Sequence, residues 1–510
     1  MKWKAVWLKI AGCYRFCVIA GVFMSGMGVV NAAEEVAALD AQKSKLLAEN
    51  TSDQGVSDRI NIYIDNPTFR PIRVMVPFKN LNTSLDKAAS QVAHQSLRRF
   101  SAHLGVMLSF TSLFQVSTLP VYAPPFFPWP LADQSLSEWL VNKPSVVLKN
   151  TQPVDVVVLV DVGYLEKTKQ LTYKIHGVDL RSYSVRVEKE FSFVMGKQAA
   201  REKEWAFVFA DAMLEAYTGR PGIFGAPLVF VGKKTKASPK HIYTARIDGS
   251  GLRQITWGPS IHLSPSWSKD GKHIIFTSYR SGDPDLYAYD LASQKVRLLA
   301  AYPGVDSGGQ HDALSDNVVF SGRGKGDADI FVTSLEGKAR RRTLIRGLGL
   351  DVSPTFSPDG RWLVYVSGRF GNPHIFRADL QRTAGKIRVI KDHRLTWAGW
   401  YNGSPAVSPD SKKIAFAGYD KETDRFDIFM MNMDGRSLER LTLHSGDNEG
   451  PSWSPNGHLM VFHSNRLPSS SGKGPTALYV MRRDGGLQKK IILPLYSAES
   501  PKWATTPIKW

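Results

Sequence analysis

Apolar and polar positions alternate in short runs along most of the chain, with two stretches of helical spacing before residue 220. Ile60 to Ile64 (INIYI) alternates as a half-buried strand should, and Ile72 to Phe78 (IRVMVPF) reads as a second strand. Leu85, Ala88, Ala89, Val92, Ser96 and Phe100 then recur at helical spacing, giving one face to lay on a sheet. Val154 to Val162 (VDVVVLVDV) is almost continuously apolar, the pattern of a strand covered on both sides. Leu171 to Leu180 and Tyr183 to Met195 alternate again and predict a hairpin. A second helix is expected from about Gln198 to Tyr217, with Trp205, Val208, Phe209, Ala212 and Leu214 to pack and Gly219 and Pro221 to stop it. These elements predict a small α/β domain over residues 58–222. Leu119 to Pro130 (LPVYAPPFFPWP) must be loop, because prolines this dense forbid ladder or helix pairing. Packing on its own domain is the commoner fate of such a loop than service as a contact site.

From residue 223 to 510 the pattern repeats itself. Ser264-Pro-Ser-Trp-Ser-Lys-Asp270-Gly271 returns as Ser353-Pro-Thr-Phe-Ser-Pro-Asp359-Gly360, as Ser404-Pro-Ala-Val-Ser-Pro-Asp410-Ser411 and as Pro451-Ser-Trp-Ser-Pro-Asn456-Gly457. A worn copy is read from Asp312 to Asn317, and a truncated one at Ser500 to Trp503. Successive copies lie roughly 42 to 51 residues apart, the period of a four-stranded propeller blade. Each unit runs from a short aromatic strand through Asp-Gly or Asn-Gly into an apolar strand such as Ile274-Ile275-Phe276. An Asp-Leu-Tyr-like strand follows (Asp285, Asp329, Asp427), and the last strand ends near a Leu-Thr such as Leu441-Thr442. Residues 226–256 supply three strands without an inner one, and Ser500 to Ala504 an inner one without the rest. Joined, they close a ring and leave no sheet edge open. The expected fold is mainly β: a C-terminal six-bladed β-propeller preceded by a small α/β domain.

Composition adds an export signal to this picture. Lys2, Lys4 and Lys9 precede an apolar run, Val18 to Val30, too short to span a bilayer, and Val30-Asn31-Ala32 supplies small residues for cleavage after Ala32. Residues 1–32 therefore read as a secretory signal, so the remainder is expected to be exported, without stable membrane insertion. Cys13 and Cys17, the only cysteines, fall inside it, so neither a disulfide nor a thiolate metal site holds the rest together. Residues 33–57 are polar and Ala-rich without aromatics, as in a mobile arm or a frayed helix. The formal charge of +19 falls to about +15 once Lys2, Lys4, Lys9 and Arg15 are removed. The basic residues are scattered apart from Lys233-Lys234 and Arg340 to Arg342, with no interleaved stacking aromatics, so nucleic acid is not an expected partner.

Catalytic signatures are missing. There is no Gly-x-Ser-x-Gly and no His-Glu-x-x-His; His458 and His463 would face opposite sides of one strand. Gly322 to Gly326 lacks phosphate-loop spacing, and Asp283, Asp285, Asp327 and Asp329 suit turn hydrogen bonding better than calcium. No catalytic residue, metal or cofactor is expected. The residues just before each inner strand gather instead at one mouth of the channel, where six loops on a rigid frame favour binding. They are His262 and Leu263, Gln310 and His311, Asp351 and Val352, Asn402 and Gly403, Asn448 and Glu449, and Glu499.

Arg70-Pro-Ile-Arg-Val-Met-Val-Pro-Phe78, Tyr217-Thr-Gly219 with Pro221-Gly-Ile-Phe224, and Pro227-Leu-Val-Phe-Val231, joined to the blade repeat, resemble the TolB family over nearly the whole chain after the signal. That resemblance implies a non-enzymatic, periplasmic component of the Tol-Pal system supporting outer-membrane integrity and constriction. It implies that the mouth residues bind the Pal-type lipoprotein, and that the arm beginning Ala33, Glu34, Glu35 and Val36 binds a TolA-type inner-membrane protein. The long arm and an apparent insertion over about 108–150 depart from the family pattern. A propeller enzyme (lyase or peptidase) would instead need acids, His or a metal in the channel. A glycan-binding propeller would expose aromatics such as Trp397 and Trp400, which more often pack between blades.

Overall fold

A computed structural model describes residues 71–76, 87–111, 113–118, 154–195, 201–324, 327–337, 339–383, 385–443, 446–466 and 474–508. The signal, the arm with Ala33 to Val36, the strand expected at Ile60 and the loop from Leu119 to Pro130 lie outside these residues.

The α/β region comprises β1 (Ile72–Val76), α1 (Lys87–Phe110), β2 (Phe114–Thr118), β3 (Val156–Leu165), β4 (Gln170–Asp179), β5 (Ser184–Val194) and α2 (Glu202–Thr218). The sheet order is β2-β1-β3-β4-β5, with β1 parallel to both neighbours and the remaining pairs antiparallel. β3 is central, as its apolar run predicts, and Val156 to Val160 are fully buried. Its partner β4 turns Tyr173 toward Trp205 of α2, with ring centroids 5.2 Å apart. A Cβ on Gly177 would come within 2.8 Å of Met213 Sδ, so the glycine is what lets α2 lie this close.

Three expectations change here. In α1 the buried face is Ala89, Ala93, Leu97, Phe100 and Leu104, while Ala88 is exposed and Val92 half-buried. The small residues at an i, i+4 spacing set the face nearest the neighbouring elements, and Phe100 meets Phe209 of α2 edge-on. In α2, Val208 is exposed and Ala212 half-buried, whereas Ala206, Phe207, Ala210 and Met213 are buried. This helix is covered on two sides: Trp205 faces the sheet, and Phe207 packs on Phe224 beneath the Arg246 guanidinium. Finally, residues 114–118, read as part of an insertion, are β2, the edge strand beside β1.

Gly219 ends α2 in the left-handed conformation (φ +66°). Asp211, within α2, ties the helix to the segment just beyond Gly219, its carboxylate accepting the backbone N–H groups of Ile223, Phe224 and Gly225 at 2.7, 2.8 and 2.9 Å.

Six four-stranded antiparallel blades follow. Their inner strands are His262–Trp267 (blade I), Asp306–His311 (II), Asp351–Phe356 (III), Tyr401–Val407 (IV), Asn448–Trp453 (V) and Ser497–Trp503 (VI). Blade VI takes its other three strands from Leu228–Lys233, His241–Ala245 and Arg253–Gln254, so the predicted closure is formed. Each inner strand touches the next, and that of blade VI touches that of blade I. One aromatic per second strand (Phe230, Phe276, Phe320, Tyr365, Phe416, Phe462) is fully buried beside an aromatic of the third strand, 5.7 to 6.1 Å away. Truncating any one of these to Ala would cost about 3–5 kcal/mol.

The repeat motif has two roles. Its second serine clasps the turn at the far end of the inner strand: Ser268, Ser357 and Ser408 donate to Asp270, Asp359 and Asp410 at 2.6 Å, and Ser454 to Asn456 at 2.8 Å. Each serine oxygen also accepts the N–H five residues on. Its first serine occupies a β-bulge with positive φ, at Ser264, Ser353, Ser404 and Ser500, where blades II and V use Gly308 and Gly450.

Candidate protein-docking site

The inner strands all begin at one end of the ring. At this end a side chain at the start of the inner strand in blades I to V meets the start of the third strand in the preceding blade. His262 stacks on His241 (5.4 Å), Asn402 Nδ2 donates to His374 Nδ1 (3.1 Å), and Asn448 Nδ2 donates to Asp427 Oδ1 (2.9 Å). The same seams are closed by backbone bonds from His262, Asp306 and Asn402 to the carbonyls of Lys240, Pro284 and Pro373. At two seams both members are acidic, Asp285 with Asp306 and Asp329 with Asp351. Arg341, Arg346 and Arg369 lie 3.4 to 3.5 Å from Asp306, Asp329 and Asp351 and offset this charge. Burial, with a smaller push from Asp285, still raises Asp306 to about 6, against the N–H of Tyr302 and the Arg341 guanidinium. Burial also lowers His262 and His374 to about 4.

His262, Leu263, Asp351, Asn402, Gly403, Asn448 and Glu449 are therefore buried in the seams at the mouth, with Val352 half-buried. Glu499, also half-buried, is paired with Lys240. Gln310 and His311 are elsewhere. They pair with Val319 and Val318 at the opposite end of their strand, where His311 Nδ1 accepts the N–H of Lys269. The mouth positions of blade II are Asp306 and Ser307, aligned on the bulge at Gly308. Gly308-Gly309 stands where other copies have Ser-Pro, and with no proline or tryptophan to mark the strand, the sequence alignment slips by four residues.

The remaining candidates have structural roles. Asp285 accepts from the Ser281 hydroxyl, and Asp327 accepts the N–H of Gly349. His463 Nδ1 accepts the N–H of Ser500 across the seam between blades V and VI, while His458 lies in the preceding turn. Among the described residues no group of three His, Cys, Asp or Glu could hold a metal.

This end also exposes apolar side chains. The loops entering the inner strands present Trp257 (62% exposed), Leu348 (86%), Trp397 (69%), Trp400, Leu443 and Ile492 (73%), and a neighbouring turn presents Phe370. Trp397 and Trp400 thus do not pack between blades. Three of these residues follow a buried threonine: Thr256, Thr396 and Thr442 each accept the N–H of a third-strand residue, Ile242, Ile375 and Ile428. The threonine is satisfied inward, so the next side chain turns outward. Sequence reasoning named Trp397 and Trp400 only for a glycan-binding alternative and missed Trp257 and Leu443, although the signal, an apolar residue directly after Leu-Thr or Ile-Thr, stands in the chain. Clustered exposed aromatics of this kind mark protein-interaction sites.

A six-bladed ring preceded by a small α/β region, with apolar residues exposed on the loops that enter its inner strands, defines a β-propeller protein with a candidate docking face. The chain belongs to the TolB beta propeller domain family, whose pattern matches residues 214–507. It is 35% identical over 180 residues to the protein TolB homolog of Chlorobium luteolum (34% of this chain, 39% of that one). It is 28% identical over 292 residues to the Tol-Pal system protein TolB of Bordetella pertussis (49% and 64%). The chain thus spans 39% to 64% of the length of these curated relatives. The crystal structure of TolB from Acinetobacter baumannii shares the fold, with a TM-score of 0.65 at 20% identity over 85% of this chain and 96% of that one.

Proposed function

We propose that this chain is a non-enzymatic, periplasmic component of a Tol-Pal system, exported by cleavage after Ala32, that docks a Pal-type lipoprotein on the mouth end of its propeller. The arm from Ala33 to Val36 engages a TolA-type inner-membrane protein, and the joint role is outer-membrane integrity and constriction. The observation that carries the reading is the convergence of exposed apolar loop tips on one end of the ring, in a chain related to a protein named for the Tol-Pal system. The seam residues beneath hold the loops in place before a partner arrives, which limits the ordering cost of binding.

The test is a titration of the chain with the soluble domain of the Pal-type lipoprotein from the same organism. Binding is expected, and Trp257→Ala combined with Leu443→Ala should weaken it by about tenfold or more, the size of effect central apolar anchors carry. Absence of binding by the unmodified chain would overturn the function. Binding indifferent to both substitutions would keep the function and remove the mouth as its site.

A further inference from the structure

Blades III and IV differ from the rest of the mouth. Arg394, the last residue of the outer strand of blade III, lies over the Trp397 ring at 4.5 Å and also faces Phe370 at 5.7 Å. Lys421, in the turn beside them, sits 4.6 Å over the Trp400 ring. Phe370, Trp397, Trp400 and Lys421 are all exposed. Several other arginines of these blades are matched by acids: Arg369 with Asp351 and Asp392, Arg382 with Asp312, and Arg440 with Asp420 and Asp427. Arg394 and Lys421 have no carboxylate partner among the described residues; the Arg394 Nε donates only to the carbonyl of Thr396.

The loop carrying both indoles is held firmly. Thr396 accepts the N–H of Ile375, Asn402 Nδ2 donates to the carbonyl of Ala398, and Gly399 supplies the positive φ (+89°) between the tryptophans. Such a surface joins fixed apolar area to positive charge that the chain leaves unbalanced. Tryptophan and arginine together are also the residues that dominate binding at protein interfaces.

We propose that Phe370, Arg394, Trp397, Trp400 and Lys421 form a rim subsite for an acidic polypeptide segment of the docked partner. An apolar side chain of that segment rests on the indoles, and its carboxylates face Arg394 and Lys421. The proposal deepens the mouth-docking reading and rests on it. It assigns the charge-dependent part of the interface to blades III and IV, one blade along from the entry loop that carries Leu443.

The experiment titrates the full exported chain with the lipoprotein's soluble domain at about 50 mM and about 300 mM salt, conditions that respectively preserve and screen surface charge. The variants are Trp397→Ala with Trp400→Ala, and Lys421→Glu, whose only described contact is with the Trp400 ring. The tryptophan pair should weaken binding about tenfold or more at both salts, with melting unchanged because both rings are exposed. Lys421→Glu should weaken it several-fold at low salt and little at high salt. If the unmodified chain binds and both variants bind as it does, the rim subsite falls while mouth docking stands. If the unmodified chain does not bind, both fall. A tryptophan effect with Lys421→Glu neutral at low salt would overturn the acidic segment. So would quenching of tryptophan fluorescence by chitotetraose that the tryptophan pair abolishes, which would assign the patch to a sugar chain.

Discussion

His262 has its ring between His241 and the edge of Phe276, at the seam where blade VI meets blade I. Burial, then the charge of His241 and of Arg280, holds its pKa at about 4, below the ordinary 6.5. The unfolded chain therefore takes up this proton first as pH falls. Its contribution to stability is complete above about 6.5 and declines as pH drops toward 4. At pH 5 the loss from this one group is about 2 kcal/mol. Asp306, raised to about 6, acts in the opposite sense over part of the same window, so the sum is read only by difference. His262→Phe should shrink the loss of stability between pH 7 and pH 5 by about 2 kcal/mol, measured by denaturant unfolding at both values. An unchanged pH dependence would mean that His262 is not held neutral by the seam. The sequence placed His262 at the mouth correctly, but nothing in it indicated that His241, some twenty residues upstream, would be its partner across the ring closure.

Among elements, the turn between the first and second strands of blade II is the instructive one. Other blades clasp this turn with a serine and an Asp or Asn; here Asp312 accepts from Leu314 N and from Ser315, and Arg382 of blade III grips it with two bonds, at 2.6 and 3.0 Å. Asp312 is 1% exposed, so removing the arginine leaves a buried carboxylate unpaired. Arg382→Ala should cost about 3–5 kcal/mol, and adding Asp312→Ala should restore part of it. Denaturation midpoints of the single and double variants measure this; a single variant as stable as the unmodified chain would show the pair to be dispensable. The four sharp copies were legible because each part of the motif acts locally. Ser-Pro or Gly-Pro forms the bulge, an aromatic or valine closes the inner strand, and Asp-Gly, Asp-Ser or Asn-Gly makes the turn. Blade II was misread because it fills the same roles with Gly308, Gly309 and a long-range arginine, which have no local signature. The central strand and hairpin of the α/β region were legible from periodicity alone. The exposure of Val208 was not, because α2 is covered from two sides.

At the scale of the whole molecule, ring closure was legible from strand counting, since three strands at 226–256 and one read at Ser500 to Ala504, observed as Ser497–Trp503, complete each other. The proposed docking face was half legible. Counting located the mouth but named its buried seam residues, because a polar side chain at a strand start reads as exposed until its partner in the preceding blade is known. The apolar tips lie a few residues earlier, in loops whose direction depends on the buried threonines. Hydrogen exchange of the chain, with and without the lipoprotein's soluble domain, tests the central claim most directly. Slower exchange is predicted in the loops 255–261, 395–400 and 491–496, at the mouth end. Protection confined to the turns 268–272, 357–361 and 408–412 at the opposite end, or to α1 and α2, would contradict it.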